Sequence, residues 1–152
     1  MPTEAQWEYA CRAGTMTPFN FGEMLNGDKA NCNGQYPYGT DTQGQYVDKP
    51  VEVGLYPANA WGLYDMHGNI WEWCSDWYGN YPTGSVVDPV GPPMGVGRVL
   101  RGGCWNSGSS VCRAAFRLAN SPMIKRNTMG LRLSLVQHMD WYCPTEKPKP
   151  EA

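Results

Sequence analysis

Two carboxylates that flank a tight turn form the most chemically suggestive group in the sequence. Asp65 and Glu72 lie on either side of Gly68-Asn69, within an aromatic-rich stretch that spans residues 59–73. Carboxylates beside backbone carbonyls are the oxygen ligands that calcium prefers. The acids could instead be solvated or make local hydrogen bonds while the aromatic residues form core. As an acid–base pair they are less convincing than as a cation site.

The cysteines and histidines give weaker evidence for a functional site. Six cysteines occur at wide spacings, with no CxxC pair and no zinc pattern. An even count permits disulfides, but free buried thiols are the favoured interpretation because no export signal precedes the first motif. His67 and His138 are the two histidines. His67 lies in the turn and is expected to be exposed or locally hydrogen-bonded, and no Ser-His-Asp arrangement is indicated.

Composition limits the class of partner. The formal net charge of −2 and the absence of a basic run argue against nucleic acid as a partner. No apolar run reaches membrane length, so we expect no membrane insertion. Without a signal peptide, the expected location is cytoplasmic or virion-associated. The chain has 18 Gly and 13 Pro in 152 residues, which predicts many turns and little regular structure.

One domain, residues 1–143, is predicted to position these groups, followed by a flexible tail, residues 144–152. Residues 3–13 should form a helix, because Thr3 and Gln6 make a capping-box pattern and Gly14 can end it. A long loop should begin at residue 75 and run to residue 97. The Gly102-Gly103 pair should then deliver residues 104–112 to one face. Strands are predicted at residues 50–54, 99–101, 114–117 and 130–135.

Four motifs together resemble the formylglycine-generating-enzyme (sulfatase-modifying-factor) family. They are PTEAQWEYACRAG at 2–14, NAWGLYDMHGNIWEW at 59–73, RVLRGGCW at 98–105, and CRAAFRLANSP with MGLRL between 112 and 133. The resemblance implies an α+β, C-type-lectin-like fold with a small antiparallel sheet, few helices and extensive ordered loops. It also implies that the N-terminal part of the family domain is missing from this sequence.

The resemblance also implies metal ligands. A structural calcium ion would be held by the side chains of Asp65 and Glu72 and the carbonyls of Gly68 and Ile70. A second calcium position at Asn31-Cys32 lacks a clear acidic partner and is not predicted. Enzymes of the family hold copper(I) with thiolates at the fourth and ninth positions after the Gly-Gly pair.

The copper pair is not intact in this sequence. The fourth position is Ser107 and the ninth is Cys112. Cys104 and Cys112 are therefore only weak catalytic candidates, as a displaced pair, and copper is not expected. The chain is predicted to be a non-catalytic module rather than an enzyme.

Residues 104–128, called the recognition segment below, mix small polar and large apolar side chains, a combination that suits ligand binding. The segment also resembles the diversified part of variable proteins of diversity-generating retroelements. The expected partner is a protein or other cell-surface ligand, and the oligomeric state is left open. Predicted ligand contacts are Trp105, Ser107, Ser109, Ser110, Phe116, Leu118, Asn120, Met123, Lys125 and Asn127.

Three alternatives remain. The segment could be a plain set of polar loops. The protein could be a copper-dependent formylglycine-generating oxidase that acts on a sulfatase cysteine. It could also be a structural or regulatory domain of a larger protein.

Overall fold

Within residues 1–135 the chain forms one α-helix, one 3-10 helix and four short strands, and the rest is mostly ordered loop. The computed structural model describes residues 1–135. Its elements are α1 (Glu4–Arg12), β1 (Trp71–Trp77), β2 (Arg98–Arg101), a 3-10 helix (Ser109–Cys112), β3 (Leu118–Asn120) and β4 (Met129–Leu131). The predicted α+β class is confirmed. The predicted tail, residues 144–152, lies outside the described residues.

Helix α1 begins at the predicted capping box. The Thr3 hydroxyl accepts a hydrogen bond from the Gln6 amide at 3.2 Å, and the Gln6 side chain accepts one from the Thr3 amide at 3.0 Å. These bonds satisfy backbone donors that a helix start leaves unpaired. The helix ends at Ala13, which adopts the left-handed conformation one residue before the predicted Gly14. Within residues 1–135, no helix is long and apolar enough to cross a membrane.

The small four-stranded sheet is mixed, whereas an antiparallel sheet was predicted. Its strand order is β3-β2-β1-β4. Strand β2 pairs antiparallel with both β1 and β3, whereas β1 and β4 are parallel. After β3 at one edge, residues 121–128 carry the chain to the opposite edge, where β4 runs in the same direction as β1. The amide of Trp71 donates to the carbonyl of Thr128 at 2.8 Å and begins this contact.

Two strand predictions and one loop prediction need correction. Residues 50–54 form no strand, because the Val51 amide and carbonyl are bonded by the side-chain amide of Asn69 at 3.0 and 3.2 Å. Residues 114–117 form no strand either, and β3 begins only at Leu118. Strand β1 replaces the start of the predicted loop at residue 75. The strand expected at 99–101 covers Arg98–Arg101, whereas the strand expected at 130–135 covers Met129–Leu131 and ends four residues early.

A buried arginine joins the helix to the sheet. Arg101 on β2 has no exposed surface and forms ion pairs with Glu4, at 3.2 Å, and with Glu8. Its guanidinium also donates to the carbonyl of Ala114 at 2.7 Å and lies 5.3 Å from the Trp7 ring centroid. Buried charge is tolerated only when it is paired and hydrogen-bonded. Arg101 therefore connects β2 both to α1 and to Ala114, near the middle of the recognition segment.

Candidate functional site

The recognition segment leaves β2 through two glycines with positive φ. Gly102 and Gly103 have φ values of 91° and 76°, a region in which side chains with a Cβ are strained. A Cβ on Gly103 would also lie 2.5 Å from Cys112 Sγ. The Gly-Gly pair therefore makes the predicted turn and lets the returning chain pack directly against it.

Backbone hydrogen bonds hold the first half of the segment on the loop of residues 31–36. The amide of Asn33 donates to the carbonyl of Ser107 at 2.8 Å, and the amide of Ser109 donates to the carbonyl of Tyr36 at 2.9 Å. Two more bonds attach the segment elsewhere, from Trp105 to the Asn69 carbonyl and from Ala114 to the Pro18 carbonyl. The backbone of this half is thus fixed independently of its exposed side chains.

The ten predicted ligand contacts fall into three groups. The exposed residues are Ser110, Met123, Lys125 and Asn127. The half-buried residues are Trp105, Ser107, Phe116, Leu118 and Asn120. Ser109 is fully buried, so it cannot contact a ligand as predicted; its hydroxyl lies 3.4 Å from Cys32 Sγ. The small polar character of Ser109 reflects this interior contact.

Phe116 and Leu118 are partly buried against the core. Both pack on the cluster of Trp71, Leu100 and Cys104. The Phe116 and Trp71 ring centroids are 6.1 Å apart. Phe116 and Leu118 therefore connect the segment to the sheet. The exposed side chains of the second half of the segment lie closer to its end, at Met123, Lys125, Arg126 and Asn127.

The two cysteines proposed as a displaced copper pair have different partners. Cys104 Sγ lies 2.9 Å from Asn106 Oδ1 and 3.2 Å from Ser107 Oγ. Cys112 Sγ instead lies 3.9 Å from the carbonyl oxygen of Gly108, and Cys112 packs in the buried cluster that also contains Cys32. The five described cysteines are all free and buried, as predicted. Because Cys104 and Cys112 belong to separate core clusters, the arrangement gives no support to a copper pair.

One of the predicted calcium ligands, Glu72, is already paired with a cation of the chain, Arg132. Glu72 accepts hydrogen bonds from Arg132 at 2.9 and 2.7 Å and from Trp7 Nε1 at 2.7 Å. Arg132 also donates to the carbonyl of Tyr64 at 2.9 Å. Asp65 accepts from the Gly54 amide with one oxygen, while its other oxygen is buried without a partner among the described residues.

This donor set does not fit calcium in its present arrangement. A calcium ion bound by Glu72 would have to displace the Arg132 guanidinium or share the carboxylate with it. Gly68 is buried with its amide bonded to the Gly102 carbonyl at 2.7 Å, and Ile70 is half-buried. Residues 1–135 contain no group of three or more His, Cys, Asp or Glu side chains suited to a metal ion. Calcium binding at this turn stays a prediction.

His67 was expected to be exposed or locally hydrogen-bonded, but it is buried and its hydrogen bonds are made with distant residues. Only 3% of it is exposed, and Nδ1 donates to the carbonyl of Cys112 at 2.7 Å. Nε2 accepts a hydrogen bond from the Asn20 amide at 3.1 Å. Burial lowers the pKa of His67 from 6.5 to about 4, so the imidazole is neutral at pH 7. The imidazole holds the recognition segment through the Cys112 carbonyl, and neither ring nitrogen is free for catalysis.

Known proteins with similar sequences identify the family of this chain. Residues 1–136 match the family described as the sulfatase-modifying factor enzyme 1-like domain. The chain is 42% identical over 137 residues to the serine/threonine-protein kinase pkn1 of Chlamydia caviae, covering 87% of this chain and 20% of that protein. It is 39% identical over 143 residues to the formylglycine-generating enzyme of Streptomyces coelicolor, covering 87% of this chain and 45% of that enzyme.

A solved structure is also similar. Treponema denticola variable protein 1 superimposes with a TM-score of 0.74 and 32% identity, over 86% of this chain and 45% of that one. The chain thus spans less than half the length of each of these relatives. The match over residues 1–136 and the shared fold show that this chain belongs to the sulfatase-modifying factor enzyme 1-like domain family.

Proposed function

We propose that this chain is a non-catalytic ligand-binding module whose contact surface is the recognition segment. One observation carries this proposal: the segment has an anchored backbone but leaves several side chains exposed. Ser107 and Ser109 are fixed through their backbones to residues 31–36, whereas Ser110, Met123 and Lys125 are exposed. Exposed side chains on a fixed backbone can be exchanged at low cost to the fold, which suits recognition.

The charge of the segment indicates the chemistry of the ligand. Residues 104–128 contain Arg113, Arg117, Lys125 and Arg126 and no acidic residue. Arg117 is paired with Glu4, but Lys125 and Arg126 are exposed and form no ion pair within residues 1–135. A protein surface that presents carboxylates is therefore the favoured partner, and its association should weaken as salt concentration rises.

A selection experiment tests the binding role. A displayed library would randomise Asn106, Ser110, Met123, Lys125 and Asn127, and a control library would randomise the exposed residues Met16, Met24, Glu52, Val53 and Leu55. Both would be selected against purified ovalbumin and lysozyme. We expect folded binders from the first library at a much higher frequency. Equal yields, or loss of folding in the first library, would contradict the proposal.

The copper-dependent oxidase is the alternative that the similarity to the Streptomyces enzyme favours. Two observations weaken it here: Ser107 stands at the fourth position after the glycines, and Cys104 and Cys112 belong to separate core clusters. A serine hydroxyl does not replace a thiolate as a copper(I) ligand. Incubation with copper and a cysteine peptide of the sulfatase type should yield no formylglycine by mass spectrometry. Catalytic conversion that is lost in Cys112→Ser would establish the enzyme instead.

A further inference from the structure

A cavity of about 1020 Å³ lies between helix α1 and the loop that follows β1. One wall is α1, and the other is formed by residues 79–92. Asp76 and Trp77, at the end of β1, also line the cavity, as do Ala115 and Arg117 of the recognition segment. The volume is at the upper end of pockets that bind drug-sized ligands, roughly 300–1,000 Å³. The cavity therefore has room for a short peptide.

Contacts with the rest of the chain hold the loop wall in place. The carbonyl of Gly79 accepts a hydrogen bond from Arg117 at 3.0 Å. Gly91, near the other end of the wall, packs so closely on β1 that a Cβ there would lie 3.0 Å from the Cβ of Asp76. The cavity is thus formed before a ligand enters, which limits the ordering that binding requires.

Large apolar side chains face solvent on both walls of the cavity. The exposed residues among them are Tyr9 on α1 and Tyr81, Val86, Val87 and Val90 on the loop. A ligand with an apolar body would remove these side chains from water, which is favourable. The walls therefore favour an apolar ligand body.

Carboxylates outnumber cations around the cavity. Its lining contains four acidic and two basic residues. Arg12 and Arg117 are each paired with a glutamate of α1, at 2.8 and 2.6 Å, and the buried Arg101 pairs with the same two glutamates. Asp76 and Asp88 form no ion pair within residues 1–135. These two carboxylates without an ion-pair partner favour a cationic ligand.

Asp76 is a buried carboxylate with one unused oxygen. Only 5% of the residue is exposed. Its Oδ2 atom accepts hydrogen bonds from the Glu4 amide at 2.8 Å and from the Ser75 hydroxyl at 3.3 Å. Within residues 1–135 its Oδ1 atom accepts none, and it lies beside Gly91, where a Cβ would be 3.3 Å away. Burial raises the pKa of Asp76, and a cationic donor at Oδ1 would supply the missing hydrogen bond.

We propose that this cavity binds a lysine side chain of a partner protein, presented on a short apolar segment. The ammonium group would donate to Asp76 Oδ1, and the exposed Asp88 would add attraction at longer range. A single free oxygen suits a compact ammonium group better than a guanidinium, which is best matched by two acceptor oxygens. The apolar neighbours of the lysine would cover Tyr9 and Val87. This inference is independent of the proposed role of the recognition segment.

Titration with matched pentapeptides, followed by NMR of the labelled protein, tests the chemistry of the site. The peptides have the sequence Ser-Leu-X-Leu-Ser with blocked ends, and X is lysine, arginine or norleucine. We expect the lysine peptide to bind and to shift the amide signals of residues that line the cavity. The norleucine peptide should bind at least about tenfold more weakly, because it lacks the charged hydrogen bond. The arginine peptide should also bind more weakly than the lysine peptide.

Variants of the cavity test the residues. Asp76→Asn keeps the size of the side chain but removes its charge, so affinity for the lysine peptide should fall at least about tenfold while the norleucine peptide is unaffected. Asp41→Asn is the control because Asp41 is exposed and lies outside the cavity. Val87→Ser gives a second test that does not disturb the interior, since Val87 is exposed. It removes part of the apolar wall and should weaken both peptides.

The wild-type titrations alone can overturn the proposal. Equal affinities for the lysine and norleucine peptides would contradict it, as would tighter binding of the arginine peptide or shifted signals confined to residues outside the cavity. So would no binding of the lysine peptide at millimolar concentration. Butylamine is the last probe: affinity equal to that of the lysine peptide would assign the cavity to a small amine instead of a protein segment.

Discussion

Arg117 and Glu4, separated by 113 positions, form a two-point ion pair at the base of the recognition segment. Arg117 Nε and Nη2 each lie 2.6 Å from a carboxylate oxygen of Glu4. The same carboxylate is paired with the buried Arg101. Glu4 thus connects helix α1 both to β2, before the segment, and to the residues that precede β3. Glu4 therefore adds an ionic connection to the backbone hydrogen bonds that hold the first half of the segment.

Glu4→Gln should lower the stability of the protein strongly. The substitution leaves Arg117 and much of the Arg101 charge uncompensated in a nearly dry site, and breaking such a pair costs about 3–5 kcal/mol. Urea denaturation measures the loss. Glu23→Gln is the control because Glu23 is exposed and has no ion pair within residues 1–135, so its stability should stay within about 0.5 kcal/mol of wild type. Similar effects at both positions would contradict the role of Glu4.

Gly103→Ala and Gly62→Ala separate backbone strain from steric conflict. Both glycines have a φ of 76°, but nothing lies within 4 Å of a Cβ on Gly62, whereas a Cβ on Gly103 meets Cys112 Sγ. Strain alone should cost Gly62→Ala about 1–2 kcal/mol. Overpacking should add about 1–3 kcal/mol at Gly103. Equal losses in thermal unfolding would show that the close approach of Cys112 is unimportant.

The sequence motifs were sufficient to predict the fold class, the capped helix and strands near residues 99–101 and 130–131. They were insufficient for contacts that depend on distant partners. Glu4 looks like an ordinary first-turn acid, and only the folded chain places Arg101 and Arg117 beside it. The single signal for the buried Arg101 was a charged residue in an apolar strand.

One strand prediction failed because a side chain takes the hydrogen bonds that a neighbouring strand would make. Residues 50–54 alternate like a strand, but the amide of Asn69 occupies the hydrogen bonds of Val51. The sequence of the recognition segment could not show that Ser109 is buried and Ser110 exposed. The difference arises because Ser109 packs against Cys32, which lies on another loop.

His67 should make the protein less stable in mild acid. Its pKa is about 4 when folded and near 6.5 when unfolded, so the unfolded chain binds more protons between these values. The stabilisation that depends on neutral His67 is complete above pH 6.5 and should fall by about 3 kcal/mol as pH decreases to 4. His67→Gln can keep both hydrogen bonds without titrating. Denaturation across pH 4–7 should show a shallower slope in that variant, and parallel slopes would contradict the assignment.

Chelation should leave the melting temperature unchanged if Arg132 supplies the positive charge beside Glu72. The guanidinium already occupies both oxygens of that carboxylate. Differential scanning calorimetry in EDTA and in calcium would measure the effect, with Arg132→Gln as the variant that frees Glu72. We expect calcium to raise the melting temperature of the variant but not of wild type. A clear fall for wild type in EDTA would instead establish the calcium site predicted from the sequence.

Natural variation at this locus tests the central claim most directly. The gene would be sequenced across isolates, together with its neighbourhood, for a reverse transcriptase and a near-copy of the segment that encodes residues 98–135. The proposed function predicts that substitutions concentrate at exposed positions such as Asn106, Ser110, Met123 and Asn127. Gly103 and Cys112 should stay fixed. Substitutions spread evenly over the exposed residues of the whole chain would contradict a dedicated recognition segment.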